Sequence, residues 1–284
     1  MSRNIVADLH MHTAVSDGSS TLKERVSQAE EKNLDTIAIT DHDTIHPRFT
    51  GRTQTIRDVN IVSGVEIKTE VNKNNIEILG YFINPENSRL NHLLDEVRSN
   101  RRKRNEKIAK NINKKTSATI DIEELREESA GFVARPHFAD ELIEQKIVDN
   151  TSEAFKKHLS SKSDCYSPME RVSAERVINA IHEANGICSL AHPGRAKTED
   201  IEKTVSELKN LGLDALEVYY PYKENPPGRY AGTTVEEAER IAENLKLLKT
   251  GGSDCHGKGS DKFRIGNQGL KRKQFEKLKE RAGL

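Results

Sequence analysis

The sequence has no excess of charge of either sign, few cysteines and no long apolar run, and each shortage excludes a class of protein. Lys and Arg together number 45, as do Asp and Glu. This balance excludes global attraction to nucleic acid as the main mechanism, although a local basic patch is compatible with it. Because no stretch of 18 apolar residues occurs, no membrane-spanning helix is expected.

The three cysteines, Cys165, Cys188 and Cys255, lie far apart and form no CxxC pair. Their odd number and wide spacing exclude a disulfide framework. The opening residues, MSRNIVADLHMHT, lack the basic, apolar and small-residue zones of a signal peptide. We therefore expect a cytoplasmic protein without membrane contact, and no feature indicates an obligate protein partner.

Apolar stretches that end in polar residues alternate with helical stretches along most of the chain. The 284 residues, 34% apolar and 32% charged, suffice for one large α/β barrel or for a barrel with an inserted subdomain. The predicted strands are NIVADLHMH (residues 4–12), DTIAITDHD, VNIVSGVEI, NIEILGYFI, GICSLAHPG, LDALEVYY and LKLLKTGGSD. This alternation predicts parallel strands that close, wholly or in part, into a barrel, whose active site lies at the carboxyl ends of the strands.

The middle of the chain departs from this alternation and is mostly helical in pattern. We predict a helical insertion over residues 88–162, and a barrel formed by residues 1–87 and 163–284. A strongly basic helix, SNRRKRNEKIAKNINKK, belongs to the insertion. For its run Arg101–Arg104, a solvated helix face is the first expectation and contact with a polyanionic substrate is the second.

His10 and His12 form an HxH pair at the end of the first predicted strand. Residues i and i+2 of a strand point to the same face, so both imidazoles could bind one metal ion. Asp17 follows in SDGSS, where Gly18 permits a turn. Taken alone, HxH is equally compatible with two polar residues that leave a strand, and Asp17 with a turn or a helix cap.

The ends of the next two predicted strands carry the same residue types. His42 lies between Asp41 and Asp43, which suggests a metal ligand whose ring is oriented by neighbouring groups. Glu66 ends the following strand, where a carboxylate can bridge two cations. A solvated loop for His42 and an exposed strand end for Glu66 are the simpler alternatives.

The later strands complete the pattern. His192 ends the strand of LAHPGR, and Asp254 and His256 repeat the i, i+2 arrangement in GGSDCHG. Cys255, between these two, is expected to turn away from the metal and to pack in the core. The conjunction of all these side chains at the ends of predicted parallel strands indicates a metal site. A set of His, Asp and Glu without Cys suits Mn, Fe or Zn.

With these motifs, the sequence resembles the PHP family, named for polymerase and histidinol phosphatase. The hallmarks are HxH, a following Asp, TDHD, a strand-end Glu, a later HP and a terminal SDxH, and the resemblance covers nearly the whole chain. RRKRNEKI, ARPHFADELIE and EVYYP resemble the stand-alone branch that carries a helical insertion. Members of that branch hydrolyse nucleoside 5′-monophosphates or 3′,5′-bisphosphates, or trim short RNA from its 5′ end.

The resemblance implies a distorted (β/α)7 barrel with two to three divalent metal ions, Mn in the first place and Fe or Zn as alternatives. It assigns His10, His12, Glu66 and Asp254 to one metal, Asp17, His42 and His256 to a second, and Glu66, His192 and a further candidate, His137, to a third. One position departs from the branch, which usually has a histidine in a sequence like HILG. Glu77 stands there, either as a carboxylate ligand or as a side chain that faces solvent.

Two arginines are candidates for phosphate binding. Arg135 lies with His137 in ARPHF, where they could form a lid that clamps phosphate, since a guanidinium matches phosphate oxygens bidentately. Arg195, in HPGR, is the second candidate. An ordinary loop is the alternative for each. We assign Arg135 and Arg195, together with Asp254 and His256, to catalysis.

The predicted function is hydrolysis of phosphate monoesters, of nucleotides in the first place, by a water that bridges the metals. A histidinol-phosphate phosphatase and a 5′-to-3′ exonuclease on short RNA would use the same chemistry and stay open. A non-catalytic PHP module that scaffolds a polymerase is the alternative of another class, which the nearly complete ligand set disfavours. The histidines without an assigned role are His46, His92, His158 and His182, of which His182 is expected to be structural.

Overall fold

The computed structural model describes residues 5–129, 131–196, 198–222, 233–257 and 264–284 of the chain. The chain divides into two units: Met1–Leu94 with Val172–Leu284, called the barrel unit below, and Asp95–Arg171, called the helical unit. The helical unit begins and ends several residues later than the predicted insertion, 88–162. None of the helices in the described ranges combines the length and the apolar character that crossing a bilayer requires.

Nine strands among the described residues of the barrel unit form one sheet. They are β1 (Ala7–Asp8), β2 (Thr36–Ile39), β3 (Thr53–Ile56), β4 (Val59–Val71), β5 (Asn74–Tyr81), β6 (Val172–Ser173), β7 (Ile187–Leu190), β8 (Ala215–Tyr219) and β9 (Leu248–Gly251). Their order is β1-β2-β4-β5-β7-β8-β9, and β3 and β6 pair with β4. Residue 4, where the first strand is predicted to begin, lies outside the described residues.

The first and last strands meet, so the sheet is nearly closed. The backbone N–H of Leu9 donates to the carbonyl of Gly251 at 3.2 Å, and that of Asp254 donates to the carbonyl of His10 at 2.8 Å. A Cβ on Gly252 would lie 2.3 Å from the backbone nitrogen of His10, so this approach requires glycine. The prediction of a distorted barrel that joins both ends of the chain is confirmed.

The expectation of parallel strands is wrong for β5, and β3 is also antiparallel to its neighbour β4. The pairs β1–β2, β2–β4, β7–β8 and β8–β9 are parallel, but β5 is antiparallel to both β4 and β7. Only Asn72 and Lys73 connect β4 to β5, with φ of 47° and 66°, and a two-residue connection joins antiparallel strands only. The first half of β5 therefore lies beside the carboxyl ends of β4 and β7.

Local signals set the limits of the helices. They are α1 (Leu22–Glu31), α2 (Ser88–Lys115), α3 (Ile122–Glu128), α4 (Arg135–Glu144), α5 (Thr151–Ala154), α6 (Ala174–Glu183), α7 (Ile201–Asn210), α8 (Val235–Asn244) and α9 (Arg272–Arg281). Thr21 and Glu24 form a capping box at the start of α1. In α6, the buried residues Val177, Ile178 and Ile181 recur at helical spacing, and the helix packs on β4, β5 and β7.

The helical unit has its own apolar core. A π-helical turn, Phe155–Leu159, follows α5 directly. The core is formed by Ile108, Ala109, Ile112, Ala118, Ile120, Leu125, Val133, Phe138, Ala139, Leu142, Val148, Ala154, Leu159 and Cys165. Since these side chains bury one another within the unit, the insertion is a packed subdomain rather than a loose loop.

Candidate metal centre

The carboxyl ends of the parallel strands carry the candidate ligands. His10 and His12 follow β1, His42 follows β2 and His192 follows β7. Glu66 lies inside β4, which continues to Val71, so the prediction that Glu66 ends its strand is wrong. The ligand atoms fall into overlapping groups that could each hold a metal ion: His12, Asp17, His42 and His256; His10, His12 and Glu66; His10, His192 and Asp254; and His42, Glu66 and Glu77. The structure thus brings together the predicted ligands that belong to the barrel unit, and His137 belongs to the helical unit.

Glu66 lies at the centre of the cluster. Its two carboxylate oxygens lie 2.8 Å from His192 Nε2, 3.0 Å from His42 Nδ1, 3.4 Å from His12 Nε2 and 3.5 Å from His10 Nε2. Burial acts to raise the pKa of Glu66, but the neighbouring His42 and His10 hold that pKa well below its ordinary value. A buried, ionised carboxylate among four imidazoles is suited to bridge cations.

Asp254 presents one oxygen to the histidines and is held by the other. Its Oδ1 lies 3.2 Å from His12 Nε2 and 3.4 Å from His10 Nε2. Its Oδ2 accepts hydrogen bonds from the Tyr220 hydroxyl at 2.9 Å and from the Arg195 guanidinium at 3.0 Å. The predicted phosphate-binding residue Arg195 therefore lies directly beside the cluster.

Asp17 forms the centre of a second group. Its oxygens lie 3.3 Å from His256 Nε2, 3.6 Å from His42 Nε2 and 3.7 Å from His12 Nδ1. Burial acts to raise the pKa of Asp17, but the neighbouring His42 and His256 hold that pKa well below its ordinary value. This group contains Asp17, His42 and His256, the three residues that the resemblance assigns to a second metal. It also contains His12, whose Nδ1 faces Asp17 while its Nε2 faces Glu66 and Asp254.

The donor atoms of these residues fit divalent metal ions. Among the described residues, His10 Nε2, both ring nitrogens of His12 and Asp17 Oδ1 are buried without a hydrogen-bond partner. Unsatisfied buried polar atoms are costly, and a bound cation removes that cost. Nitrogen and oxygen ligands about 2.1 Å from a metal lie about 3.0–3.4 Å from one another, close to the separations found here.

Glu77 faces the cluster rather than solvent. Its side chain is 18% exposed, and its oxygens lie 3.3 Å from His192 Nε2 and 3.3 Å from Lys68 Nζ. Burial and Glu66 act to raise its pKa, but Lys68, His192 and His42 outweigh them and lower it to about 2. This carboxylate, at the position where the resemblance implies an imidazole, is therefore placed and charged as a metal ligand would be.

We expect Glu77→His to shift metal preference from Mn towards Zn or Fe, because imidazole nitrogen is a softer donor than carboxylate oxygen. Elemental analysis of the purified protein, with activity compared across these metals, would measure the shift. Glu70→His is a matched control, since Glu70 lies on β4 and is in none of the ligand groups formed by the described residues. Unchanged metal content, preference and turnover in Glu77→His would exclude a ligand role.

Arg135 and His137 lie in the helical unit, at the start of α4. His137 Nδ1 accepts a hydrogen bond from the backbone N–H of Ala134 at 2.9 Å. The Arg135 guanidinium donates to the Leu159 carbonyl at 3.2 Å and lies 5.4 Å from the centre of the Phe155 ring. His137 as a metal ligand and Arg135 as a phosphate clamp therefore stay predictions.

Glu217, in β8, is a functional residue that the sequence reasoning missed. Its carboxylate lies 2.9 Å from His10 Nδ1 and accepts a 2.6 Å hydrogen bond from the backbone N–H of His192. A carboxylate on Nδ1 orients the ring and leaves Nε2 for the metal. Burial acts to lower the pKa of His10, but the carboxylates of Glu217, Glu66 and Asp254 outweigh burial and raise that pKa well above its ordinary value. The sequence feature that could have indicated this role was a glutamate inside the apolar strand ALEVY.

The carboxylate of Asp41 holds a neighbouring loop. It accepts hydrogen bonds from the backbone N–H and the hydroxyl of Thr13, both at 2.7 Å, and from the Ser16 hydroxyl at 2.6 Å. Asp41 fixes the segment that leads to Asp17.

Arg25 is a second positioning residue that the sequence reasoning missed. It is fully buried on the inner face of α1, and its guanidinium donates to the carbonyls of His12 and Cys255. The sulfur of Cys255 lies 3.1 Å from the same guanidinium. Cys255 itself packs in the apolar cluster that contains Met11. The sequence feature that could have indicated this role was the position of the arginine three residues after Leu22, on the apolar face of the helix.

Comparisons with known proteins agree with this geometry. The PHP domain family matches residues 8–216. The chain is 32% identical over 257 residues to the 5′-3′ exoribonuclease Rnm of Salmonella typhimurium, covering 89% of this chain and 85% of that protein. It is 25% identical over 264 residues to a 3′,5′-nucleoside bisphosphate phosphatase of Chromobacterium violaceum, covering 92% and 90%.

A solved structure shares the fold as a whole. A protein from Bifidobacterium adolescentis, described as a metal-dependent phosphoesterase, matches with a TM-score of 0.78 at 26% identity, covering 97% of this chain and 96% of that chain. The family match spans most of the chain and includes the ligands that surround Glu66. The chain therefore belongs to the PHP domain family and is an enzyme that hydrolyses phosphate esters.

Proposed function

We propose that the enzyme hydrolyses phosphate monoesters of nucleotides, either nucleoside 5′-monophosphates or 3′,5′-bisphosphates. The observation that carries this proposal is the position of Glu66, in contact with four histidines at the carboxyl ends of the strands. Divalent metals bound there would lower the pKa of a coordinated water and neutralise phosphate oxygens. The chain's own residues would hold the metals and orient the phosphate for in-line attack.

The donor set supports Mn as the metal in the first place, with Fe or Zn as alternatives. His, Asp and Glu surround the cluster, and Glu77 adds a hard carboxylate oxygen to the group of His42 and Glu66. Glu217 would keep the ring of His10 in one orientation. The Arg195 guanidinium, beside Asp254, would bind a phosphate oxygen.

An arginine cluster in the helical unit supports a phosphate-bearing substrate. Arg101 and Arg104 are only 4% and 8% exposed, so the expectation of a solvated helix face is wrong for both. Among the described residues, Arg104 Nε has no hydrogen-bond partner. Burial, and then the positive charges of Arg101 and Arg135, lower the pKa of Arg104 to about 9. Buried like charges of this kind are stabilised by an anion, and phosphate oxygens match guanidinium geometry.

A 5′-to-3′ exonuclease acting on short RNA is the second candidate. It is favoured by two bacterial relatives named 5′-3′ exoribonuclease Rnm, each 32% identical over 89% of this chain. Metals at the same site would serve for a phosphodiester as for a monoester. The two candidates differ in product, because a phosphatase releases inorganic phosphate and an exonuclease releases nucleotides.

The test is a substrate panel under each of Mn, Zn, Fe and Mg. It contains nucleoside 5′-monophosphates, 3′,5′-bisphosphates, histidinol phosphate and a 5′-phosphorylated oligoribonucleotide. We expect the highest kcat/KM, with release of inorganic phosphate, on the nucleotides. A preference for the oligoribonucleotide with stepwise release of mononucleotides would establish the second candidate, and a preference for histidinol phosphate would contradict both. If no substrate of the panel is hydrolysed with any metal, both candidates are contradicted and the non-catalytic scaffold module is favoured.

We also propose that the enzyme is cytoplasmic. All three cysteines are free thiols and are buried. Free cysteines are typical of a reducing compartment, where disulfides do not persist.

A further inference from the structure

A second group of potential ligands lies at the opposite ends of the strands from the metal centre. His182 is in the last turn of α6, Cys188 is the second residue of β7, and Asp214 immediately precedes β8. His192, by contrast, follows the end of β7. Because β7 and β8 are parallel, Cys188 and Asp214 lie together at the amino ends of the sheet. Neither the mechanism nor the PHP motifs use these three residues.

Three different donor atoms converge in this group. His182 Nε2 lies 2.8 Å from Asp214 Oδ2 and 3.6 Å from Cys188 Sγ, and the sulfur lies 3.4 Å from the same carboxylate oxygen. Around a tetrahedral zinc ion with Zn–S of about 2.3 Å and Zn–N or Zn–O of about 2.0 Å, neighbouring ligand atoms lie about 3.3–3.5 Å apart. Two of the three separations are already close to these values, and only the His182–Asp214 pair must separate slightly.

The carboxylate of Asp214 is held in one orientation. The Arg281 guanidinium, on α9, donates to Oδ1 at 2.6 Å and 3.1 Å. The other oxygen, Oδ2, accepts a 3.0 Å hydrogen bond from the backbone N–H of Cys188 and faces the sulfur and the imidazole. This is how a carboxylate that binds a metal through one oxygen is oriented by neighbouring groups.

A cavity gives access to the group from solvent. It has a volume of about 320 Å³ and is lined in part by His182, Asp214, Arg52, Asn185 and Arg281. The His182 side chain is 35% exposed, so an ion and its waters can reach the imidazole from this side. Three protein ligands and one position open to water form a recurrent zinc arrangement.

We propose that His182, Cys188 and Asp214 bind a zinc ion, whose fourth ligand is a water in this cavity. Sulfur and imidazole donors favour zinc over Mg or Ca. On binding, the thiol proton of Cys188 would pass to solvent. The thiolate and the Asp214 carboxylate would then carry two negative charges, against the two positive charges of the ion and the one of Arg281. The ion would tie α6, β7 and the start of β8 together, away from the catalytic metals, so the proposal does not depend on the substrate of the enzyme.

The test uses Co²⁺ as a spectroscopic substitute for zinc in the full-length protein. A cobalt ion bound by thiolate shows an ultraviolet sulfur-to-cobalt charge-transfer band, which the His and carboxylate ligands of the catalytic centre cannot produce. We expect this band in the wild-type protein and its loss in Cys188→Ser, together with one zinc ion fewer per chain by elemental analysis. Phosphoesterase activity is expected to survive in that variant.

Cys165→Ser and Cys255→Ser are matched controls, because the other two cysteines lie outside the group. Both controls should keep the band. His182→Gln changes a partly exposed side chain and avoids disturbing the sheet; it should weaken cobalt binding at this site by at least about tenfold. Absence of the band in the wild-type protein, its persistence in Cys188→Ser, or its loss only in Cys255→Ser would each overturn the proposal.

Discussion

Replacing His10 or Asp254 with alanine is expected to lower turnover by at least about two orders of magnitude, because activation of the attacking water depends on the metals. Both side chains face the centre of the cluster, where His10 Nε2 lies 3.4 Å from Asp254 Oδ1. Losing either ligand also leaves the remaining buried groups with unbalanced charge. Steady-state kinetics and elemental analysis of the purified variants would measure both effects. A chelator should abolish wild-type activity, and added metal should restore it.

His92→Ala is the matched control for these variants. His92 is an exposed histidine of α2 and is in none of the ligand groups formed by the described residues. It should retain wild-type turnover and metal content. Circular dichroism and thermal unfolding would verify that the His10 and Asp254 variants are folded. Near-normal activity in either folded variant would contradict the metal-dependent mechanism.

Arg135→Ala and Arg195→Ala are each expected to lower kcat/KM by roughly tenfold to a hundredfold while the bound metal is unchanged. Losing a charge-assisted contact to phosphate costs about 1.5–3 kcal/mol, and each 1.4 kcal/mol corresponds to about a factor of ten. The Tyr220 hydroxyl would still hold Asp254 Oδ2 in the Arg195 variant, so the metal ligand should stay in place. Kinetics on nucleotides, with metal analysis, would measure the change.

Arg102→Ala is a matched control, because Arg102 is exposed on α2 between the buried Arg101 and Arg104. It should match wild type. Arg195→Lys keeps the charge but loses the planar fork and should recover only part of the activity. If both alanine variants match wild type on every phosphate ester, neither arginine binds phosphate. If Arg195→Ala loses metal, Arg195 acts by positioning Asp254 instead.

The positions of the candidate ligands at strand ends could be predicted from the sequence because local rules place them. Alternation along a strand puts His10 and His12 on one face, and the carboxyl ends of parallel strands meet at one end of a barrel. The capping box of Thr21 and Glu24 similarly marks the start of α1. The near closure of the sheet follows from the same alternation of strands and helices, and the comparisons show the family that the motifs indicate.

Other features depend on contacts between residues far apart in the sequence. Glu77 reaches His192 because β5 runs antiparallel to β7. Glu217 meets His10 across 207 positions of sequence. No local pattern encodes either distance, since a strand glutamate can face a core or solvent with the same alternation.

The burial of charge was likewise decided by packing. A run of basic residues on a helix has the same pattern whether it faces solvent or a neighbouring element, so the sequence favoured a solvated face for Arg101–Arg104. In the folded chain, the Arg101 guanidinium lies 4.5 Å from the centre of the Phe132 ring. The trio of His182, Cys188 and Asp214 is invisible in sequence for the same reason: its members come from a helix, a strand and a loop, and only the parallel pairing of β7 and β8 brings their donor atoms together.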